Sequence, residues 1–208
     1  MKPEKTYNKY IEWFLIRPKT TGILTFLFLS FVVCFTVSQQ YKLIKEDEQR
    51  EMNNMLHVVR QNIEQTLKRC YTTTLTLALT INNEGIPENF EEVSKKLMQS
   101  NDNINGVQLV PDGIIKYVYP VMSNEAALNL NLLATASLKK EALKSITTKK
   151  MYFAGPIELK QGGIGVVGRL PIFHNNKFWG FSAVIIKLKT LLKTSGIHDF
   201  NDSKYYFQ

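Results

Sequence analysis

Residues 165–187 read GVVGRLPIFHNNKFWGFSAVIIK. Two apolar runs rich in β-branched and aromatic residues, Gly165–Phe173 and Phe178–Lys187, flank His174-Asn175-Asn176-Lys177. The runs have strand composition, and asparagine tolerates the left-handed backbone that a tight hairpin turn needs. The segment is therefore an antiparallel hairpin. Gly162-Gly163 ahead of it reads as a tight turn, and Leu188–Lys193 behind it as a short closing helix. A second hairpin lies upstream: Val107–Val110, the turn Pro111-Asp112-Gly113, then Ile114–Tyr119 ended by Pro120. Between the hairpins, Ala126–Leu133 fits no pattern, Leu138–Thr148 reads as a helix, and Met151–Ala154 reads as a strand that stops at Gly155-Pro156.

Farther toward the N-terminus the period changes. From Tyr41 to about Asn82, apolar or small residues recur at Met52, Leu56, Val59, Ile63, Leu67, Cys70, Thr74, Leu77 and Ile81, a spacing near 3.6. This predicts one long helix, whose surplus apolar face would be buried by pairing with a second copy. The threonines at 72–74, 76 and 80 lower helix propensity, so its second half needs tertiary support. A loop at Asn82–Glu88 precedes a short amphipathic helix, Asn89–Met98, with Asn89 as the expected cap and Glu92 three residues on. Asn101–Gly106 is a turn cluster. A helix followed by antiparallel hairpins with helices between them is an α+β domain, not a doubly wound sheet.

Before the helix, Thr20–Ser38 reads TTGILTFLFLSFVVCFTVS without a charged side chain. That is about the 20 residues needed to cross a bilayer core. Lys2, Lys5, Lys9, Arg17 and Lys19 precede it against Glu4 and Glu12. Short basic flanks stay cytoplasmic, which puts the N-terminus inside and Tyr41 onward outside. The run ends in Phe35-Thr36-Val37-Ser38-Gln39-Gln40, a poor signal-peptidase site, so a retained anchor is expected. The expected division is 1–19 cytoplasmic, 20–39 membrane-spanning, 40–82 a signalling and dimerisation helix, and 83–208 the outer domain.

Composition excludes several classes. Of the formal net charge of +8, residues 1–19 carry +3, and the outer part has scattered lysines with no arginine-rich, aromatic-interleaved stripe. Nucleic-acid binding is not expected. Cys34 lies in the membrane run and Cys70 outside, so no disulfide forms within the outer domain. His57, His174 and His198 form no HExxH or other metal spacing, so no metal and no cofactor are expected. Gly162-Gly163-x-Gly165 lacks the Lys-Ser/Thr of a phosphate loop, and Ser182 and Ser195 lack a GxSxG context. No catalytic residue is expected, and the chain does not read as an enzyme.

Residues 104–196 carry a resemblance. Gly106-Val107-Gln108-Leu109-Val110-Pro111-Asp112-Gly113-Ile114-Ile115 comes first, then Val118-Tyr119-Pro120-Val121 with Asn124-Glu125. Leu130-Asn131-Leu132-Leu133 and Gly155-Pro156-Ile157-Glu158-Leu159 with Gln161-Gly162-Gly163 follow. Arg169-Leu170-Pro171-Ile172-Phe173 and Phe178-Trp179-Gly180 close the set. In this order they resemble the CHASE domain, the extracellular sensory module of receptor histidine kinases and nucleotide cyclases. The resemblance implies a PAS-like antiparallel sheet with a pocket on one face, a small-molecule ligand, a homodimer, and signalling through the membrane in a two-component or cyclase receptor. In plant members the ligand is an adenine-type cytokinin, and an Asp in the Leu-Asp-Leu/Met motif is thought to hold the purine. Asn131 stands at that position here and carries no charge.

The expected ligand-binding residues are polar or aromatic side chains set among these apolar segments: Tyr117, Tyr119, Asn131, Tyr152, Phe153 and Arg169. Tyr117 and Tyr119 are two apart and share a strand face. Arg169 is a guanidinium in an apolar strand, and a buried arginine needs a partner. That partner is either a ligand anion or Glu158, unless the side chain reaches solvent at a sheet edge. Gly168 and Gly180, inside strands, admit the close approach of a ligand or of packed side chains, packing being the favoured expectation. The resulting expectation is the periplasmic or extracellular input module of a transmembrane receptor, an N-terminal fragment of a longer chain. The alternative is a freestanding membrane-anchored binding or scaffold protein.

Overall fold

Strand alternation and helix period together determine which side chains meet. The computed structural model describes residues 18–197. The basic flank through Arg17 and the tail His198–Gln208 lie outside them. The described residues fall into two compact units divided between Met55 and Leu56. Helix α1 spans Pro18–Ala78. In the first unit it is long and apolar enough to cross a membrane, and Ile23, Phe26, Phe28 and Phe31 are 61–69% exposed. Apolar side chains all round a helix, with nothing packed on them, suit a hydrocarbon environment.

In the second unit, α1 buries Val59, Thr66, Cys70, Thr73, Thr74 and Leu77. The buried Thr74 hydroxyl is satisfied by donating to the Tyr71 carbonyl at 2.8 Å, so threonines enter this face without orphaned hydroxyls. The helix stops at Ala78, short of the expected Asn82. The Thr80 hydroxyl donates to the Leu77 carbonyl at 2.7 Å, and the Asn82 side chain accepts from the Glu84 and Ile86 amides at 3.0 and 2.9 Å. These local bonds offer the backbone a turn in place of a further helical turn.

Helix α2 (Phe90–Gln99) follows. Asn89 does not cap it through its side chain, because its backbone is left-handed at φ 53°. Glu92 pairs with Lys96 one turn on, at 2.7 Å. Strands β1 (Gly106–Pro111) and β2 (Tyr117–Tyr119) form the first hairpin, the second strand shorter than expected. Two 3-10 turns, Val121–Ser123 and Glu125–Ala127, lead to helix α3 (Ala136–Thr148). Strand β3 (Tyr152–Glu158) runs through Gly155-Pro156 instead of stopping there, absorbing them in a register shift between Ala154 and Ile157. Gly and Pro in a strand mark such a bulge.

Strands β4 (Ile164–His174) and β5 (Lys177–Lys187) make the longest pairing, and helix α4 (Leu188–Ser195) closes the fold. The hairpin turn is tighter than the sequence suggested: His174 pairs with Lys177, leaving Asn175 and Asn176 at φ 50° and 61°. Two successive positive φ values match the twist of the flanking strands. The five-stranded antiparallel sheet has the order β2-β1-β5-β4-β3, the α+β, PAS-like arrangement expected.

One face of the sheet is covered by a single cluster joining Cys70 and Leu77 of α1 to Ile104, Val107, Leu109, Val184 and Ile186. The other face carries two clusters. One holds Val110, Ile115, Val118, Ala127, Leu132, Ala142 and Phe181, and the other holds Leu159, Val167, Ala183 and Ile185. Gly180, at φ 155°, lies where a Cβ would meet Pro111 Cα at 2.8 Å, so backbone packs against it. At Gly168 an added Cβ would meet the Phe153 side chain at 2.7 Å.

Candidate functional site

Register places Gln108 opposite Ala183 and Ala183 opposite Arg169, so the three form one row across β1, β5 and β4. Residues directly opposite share a face. The central member is a buried methyl group, and the two polar side chains flank it. Above this row lies a cavity of about 640 Å³, within the range of small-molecule sites. It is lined from both clusters of this face, by Ile115, Ala127 and Leu132 on one side and Leu159, Val167 and Ile185 on the other. Gln108, Leu130, Leu138, Ile157 and Gln161 also line it, and the exposed Ser137, Glu158 and Lys160 carry it to the surface.

Arg169 is the buried charged group in the wall, 3% exposed. It is neither at a sheet edge nor paired with Glu158. Its nearest acidic partner is Glu141 of α3, with Nη1 and Oε2 3.8 Å apart. That separation exceeds a charge-assisted hydrogen bond, and both atoms are buried without a hydrogen-bond partner. Burial pulls the guanidinium pKa down from its usual value and the Glu141 charge partly restores it. The group stays protonated, as arginine does in proteins. The backbone at this point is held firmly. The Ser145 hydroxyl lies 3.1 Å from the Arg169 carbonyl and 3.0 Å from that of Lys150, and donates to one at a time.

The other expected ligand residues take different places. Tyr117 and Tyr119 pack on the α1 face of the sheet, Tyr117 with its ring 5.7 Å from that of Phe90. Phe153 packs on that face too. Tyr152 shares the Arg169 face, directly opposite it in register, and lies under the Lys144 ammonium at 4.8 Å. The Asn131 side-chain oxygen accepts from the Leu133 and Ala134 amides at 2.9 and 3.0 Å. It orders the turn into α3, while its neighbours Leu130 and Leu132 line the cavity.

Gln108 and Glu141 were not anticipated. Gln108 carries the signal that marked Arg169, a polar side chain in an apolar strand. Glu141 carries none, since it sits among lysines on an ordinary helix. Among the described residues no group of three or more His, Cys, Asp or Glu side chains could hold a metal.

The geometry is a five-stranded antiparallel sheet with a cavity on the face opposite α1. Residues 111–205 match the family model of the CHASE domain, a sensory domain. The sequence also holds a helix long and apolar enough to cross a membrane. Solved structures agree in fold. The ligand-binding domain of the amino-acid chemoreceptor PctC of Pseudomonas aeruginosa, in complex with GABA, has a TM-score of 0.57 at 16% identity, over 72% of this chain and 68% of that one. The corresponding domain of PctB from the same organism, with L-Arg, gives 0.55 at 14%, over 72% and 62%. An extracellular ligand-binding receptor from Desulfohalobium retbaense gives 0.53 at 14%, over 67% of this chain and 26% of that one. This chain thus spans about a quarter of that receptor's length. No relative is found among curated proteins.

Proposed function

We propose that this protein is the extracytoplasmic input module of a transmembrane signalling receptor, and that a small molecule binds in the cavity walled by Arg169. The single observation that carries the reading is the cavity itself, with a buried guanidinium in its wall and no hydrogen bond to its Nη1. The solved neighbours, crystallised with GABA and L-Arg, support a small-molecule ligand of this size class. In this reading the N-terminus is cytoplasmic, residues 20–39 span the membrane, and residues 40–82 form the helix through which two copies pair. The outer domain from residue 83 binds the ligand, and the output is a histidine kinase or cyclase. Of the six residues singled out in the sequence, Arg169 would touch the ligand. Tyr152 would flank it and Asn131 would shape the wall. Tyr117, Tyr119 and Phe153 would brace the sheet against the signalling helix.

A ligand shifts a receptor only through different affinities for its two states. The helix-facing cluster gives such a shift a route, since Val184 and Ile186 of β5 pack with Cys70 and Leu77 of α1. The test is a thermal-shift screen of the full chain in lipid nanodiscs against a small-molecule library. A ligand at 100 times its Kd adds about 2.7 kcal/mol, which moves Tm by several degrees. A screen without a stabilising compound defeats the proposal. So does a hit whose effect survives narrowing the cavity at one of its lining residues by Ala127→Leu.

A further inference from the structure

The geometry points to the class of ligand: we propose that the cavity takes a small organic anion through one carboxylate, held by the Arg169 guanidinium in exchange for Glu141. This inference rests on the sensing reading and narrows it.

Arg169 carries a permanent charge with almost no access to solvent. Its acidic neighbour is Glu141, yet the two stand 3.8 Å apart, and neither Nη1 nor Oε2 has a hydrogen bond. A settled buried ion pair closes to about 2.8 Å and satisfies its remaining donors. This one does neither. Arg169 and Gln108 both line the cavity, on the same sheet face in register through Ala183. A guanidinium in a cavity wall is matched by a carboxylate, which its planar fork of donors can bind through two parallel bonds.

The charge count favours a monoanion. Arg169 is the buried cation of the wall, and Lys160 stands exposed at the mouth beside Glu158. A phosphate dianion would stay under-compensated on one guanidinium, whereas a carboxylate is neutralised. The remaining walls suit a hydrocarbon or aromatic body: Ile115, Leu132, Leu138 and Ile157. Gln108 can donate or accept and would read one further polar atom of the ligand.

Glu141 supplies the exchange. Its side chain is 29% exposed, so it can turn to water when a ligand carboxylate takes its place. Ser145, one turn further along α3, bonds to the Arg169 carbonyl, so the helix stays seated while the carboxylate leaves. Glu141 then acts as an internal competitor that sets affinity without touching the ligand body.

The experiment uses the full chain in lipid nanodiscs and three matched probe sets. The acids are phenylacetate, 4-methylpentanoate and indole-3-acetate, tested beside their primary amides and the amines phenethylamine, 4-methylpentylamine and tryptamine. Tm shift and calorimetric titration are read together. At least one acid is expected to bind, with its amide at least about tenfold weaker, equivalent to about 1.4 kcal/mol. Glu141→Gln removes the competitor and is expected to tighten that acid by about threefold or more. Arg169→Gln alone strands the Glu141 charge, so it is made together with Glu141→Gln, which leaves the site neutral and is expected to lose the acid. If that pair does not fold, Arg169→Lys decides: it keeps the charge and loses the fork, and is expected to weaken the acid by about tenfold.

Amides or amines that bind as tightly as the acids overturn the carboxylate assignment and leave the sensing reading standing, provided Ala127→Leu, in the cavity wall, blocks them. Acid binding that is indifferent to the Arg169 variants, or weaker in Glu141→Gln, also overturns it. Silence from all three sets overturns it as well, and the sensing reading is then decided by the separate library screen.

Discussion

Gln108 and Leu109 are neighbours in one strand and face opposite ways. Leu109 enters a continuous cluster with Leu77 and Cys70 of the long helix. Gln108 enters a face whose apolar residues are split into two clusters with a cavity reaching into both. The same three strands therefore build a filled face and a hollow one. On the filled face, Val184 follows Ala183 and presses on α1. On the hollow face, Gln108, Val167, Arg169 and Ile185 line the gap. Stability and the proposed ligand binding thus fall to alternate residues of the same strands, and substitution can separate them.

The largest effect is expected on the filled face. Leu109→Ala leaves a hole among side chains that cannot collapse, and should cost about 2–5 kcal/mol in chemical denaturation while leaving ligand affinity of the folded fraction unchanged. A loss of affinity there would break the separation. Next, Ala127→Leu puts a larger side chain into the cavity wall. It should cost about 1–3 kcal/mol if the surrounding side chains must move and less if the cavity accommodates it, but in either case it should abolish binding.

A smaller effect concerns the thiol in the filled face. Burial pushes the Cys70 pKa up to about 12, so the folded chain keeps its proton where the unfolded chain loses it. The sign follows from proton counts. Above the ordinary thiol pKa the unfolded state binds fewer protons, and stability falls as pH rises, by about 1.4 kcal/mol per pH unit at most. This contribution is whole below the ordinary thiol pKa and is lost as pH climbs toward about 12. Subtracting the pH profile of Cys70→Ala from that of the unaltered chain isolates it, and equal slopes would show that the site is wetter than its packing indicates. The smallest effect lies outside both faces, in the β4–β5 turn. Asn176 has φ 61°, so Asn176→Ala should cost about 1–2 kcal/mol and Asn176→Gly about nothing, with ligand binding unaltered by either.

How much of the site could be read in advance depends on the range of the interaction that makes it. Arg169 stands out because a guanidinium in an apolar strand demands a partner, and that demand is local. Gln108 offered the same signal in Gly106-Val107-Gln108-Leu109-Val110. Tyr117 and Tyr119 were correctly placed on one shared face, since strand alternation has period two. Which face that is depends on where α1 and α2 lie, and Phe90 takes Tyr117 to the helix side. Tyr152 and Phe153 are adjacent and so had to part, one toward Arg169 and one toward α1.

By itself the sequence determined the α+β class, both hairpins, the asparagine turn, the uncharged run at Thr20–Ser38 and the ordered segments that mark the CHASE family. All of these rest on propensity, periodicity or composition within about twenty residues. Only the tertiary structure decided the partner of Arg169 and the place of the cavity. Glu141 and Arg169 belong to a helix and a strand separated by all of β3, and meet because α3 packs against β4, with Ser145 bonded to the Arg169 carbonyl. Strand register places Gln108 and Arg169, two of the residues lining the cavity, on one face of the sheet. The β4–β5 half of that register follows from the local asparagine turn, but the β1–β5 half pairs strands distant in sequence, and no local pattern encodes it.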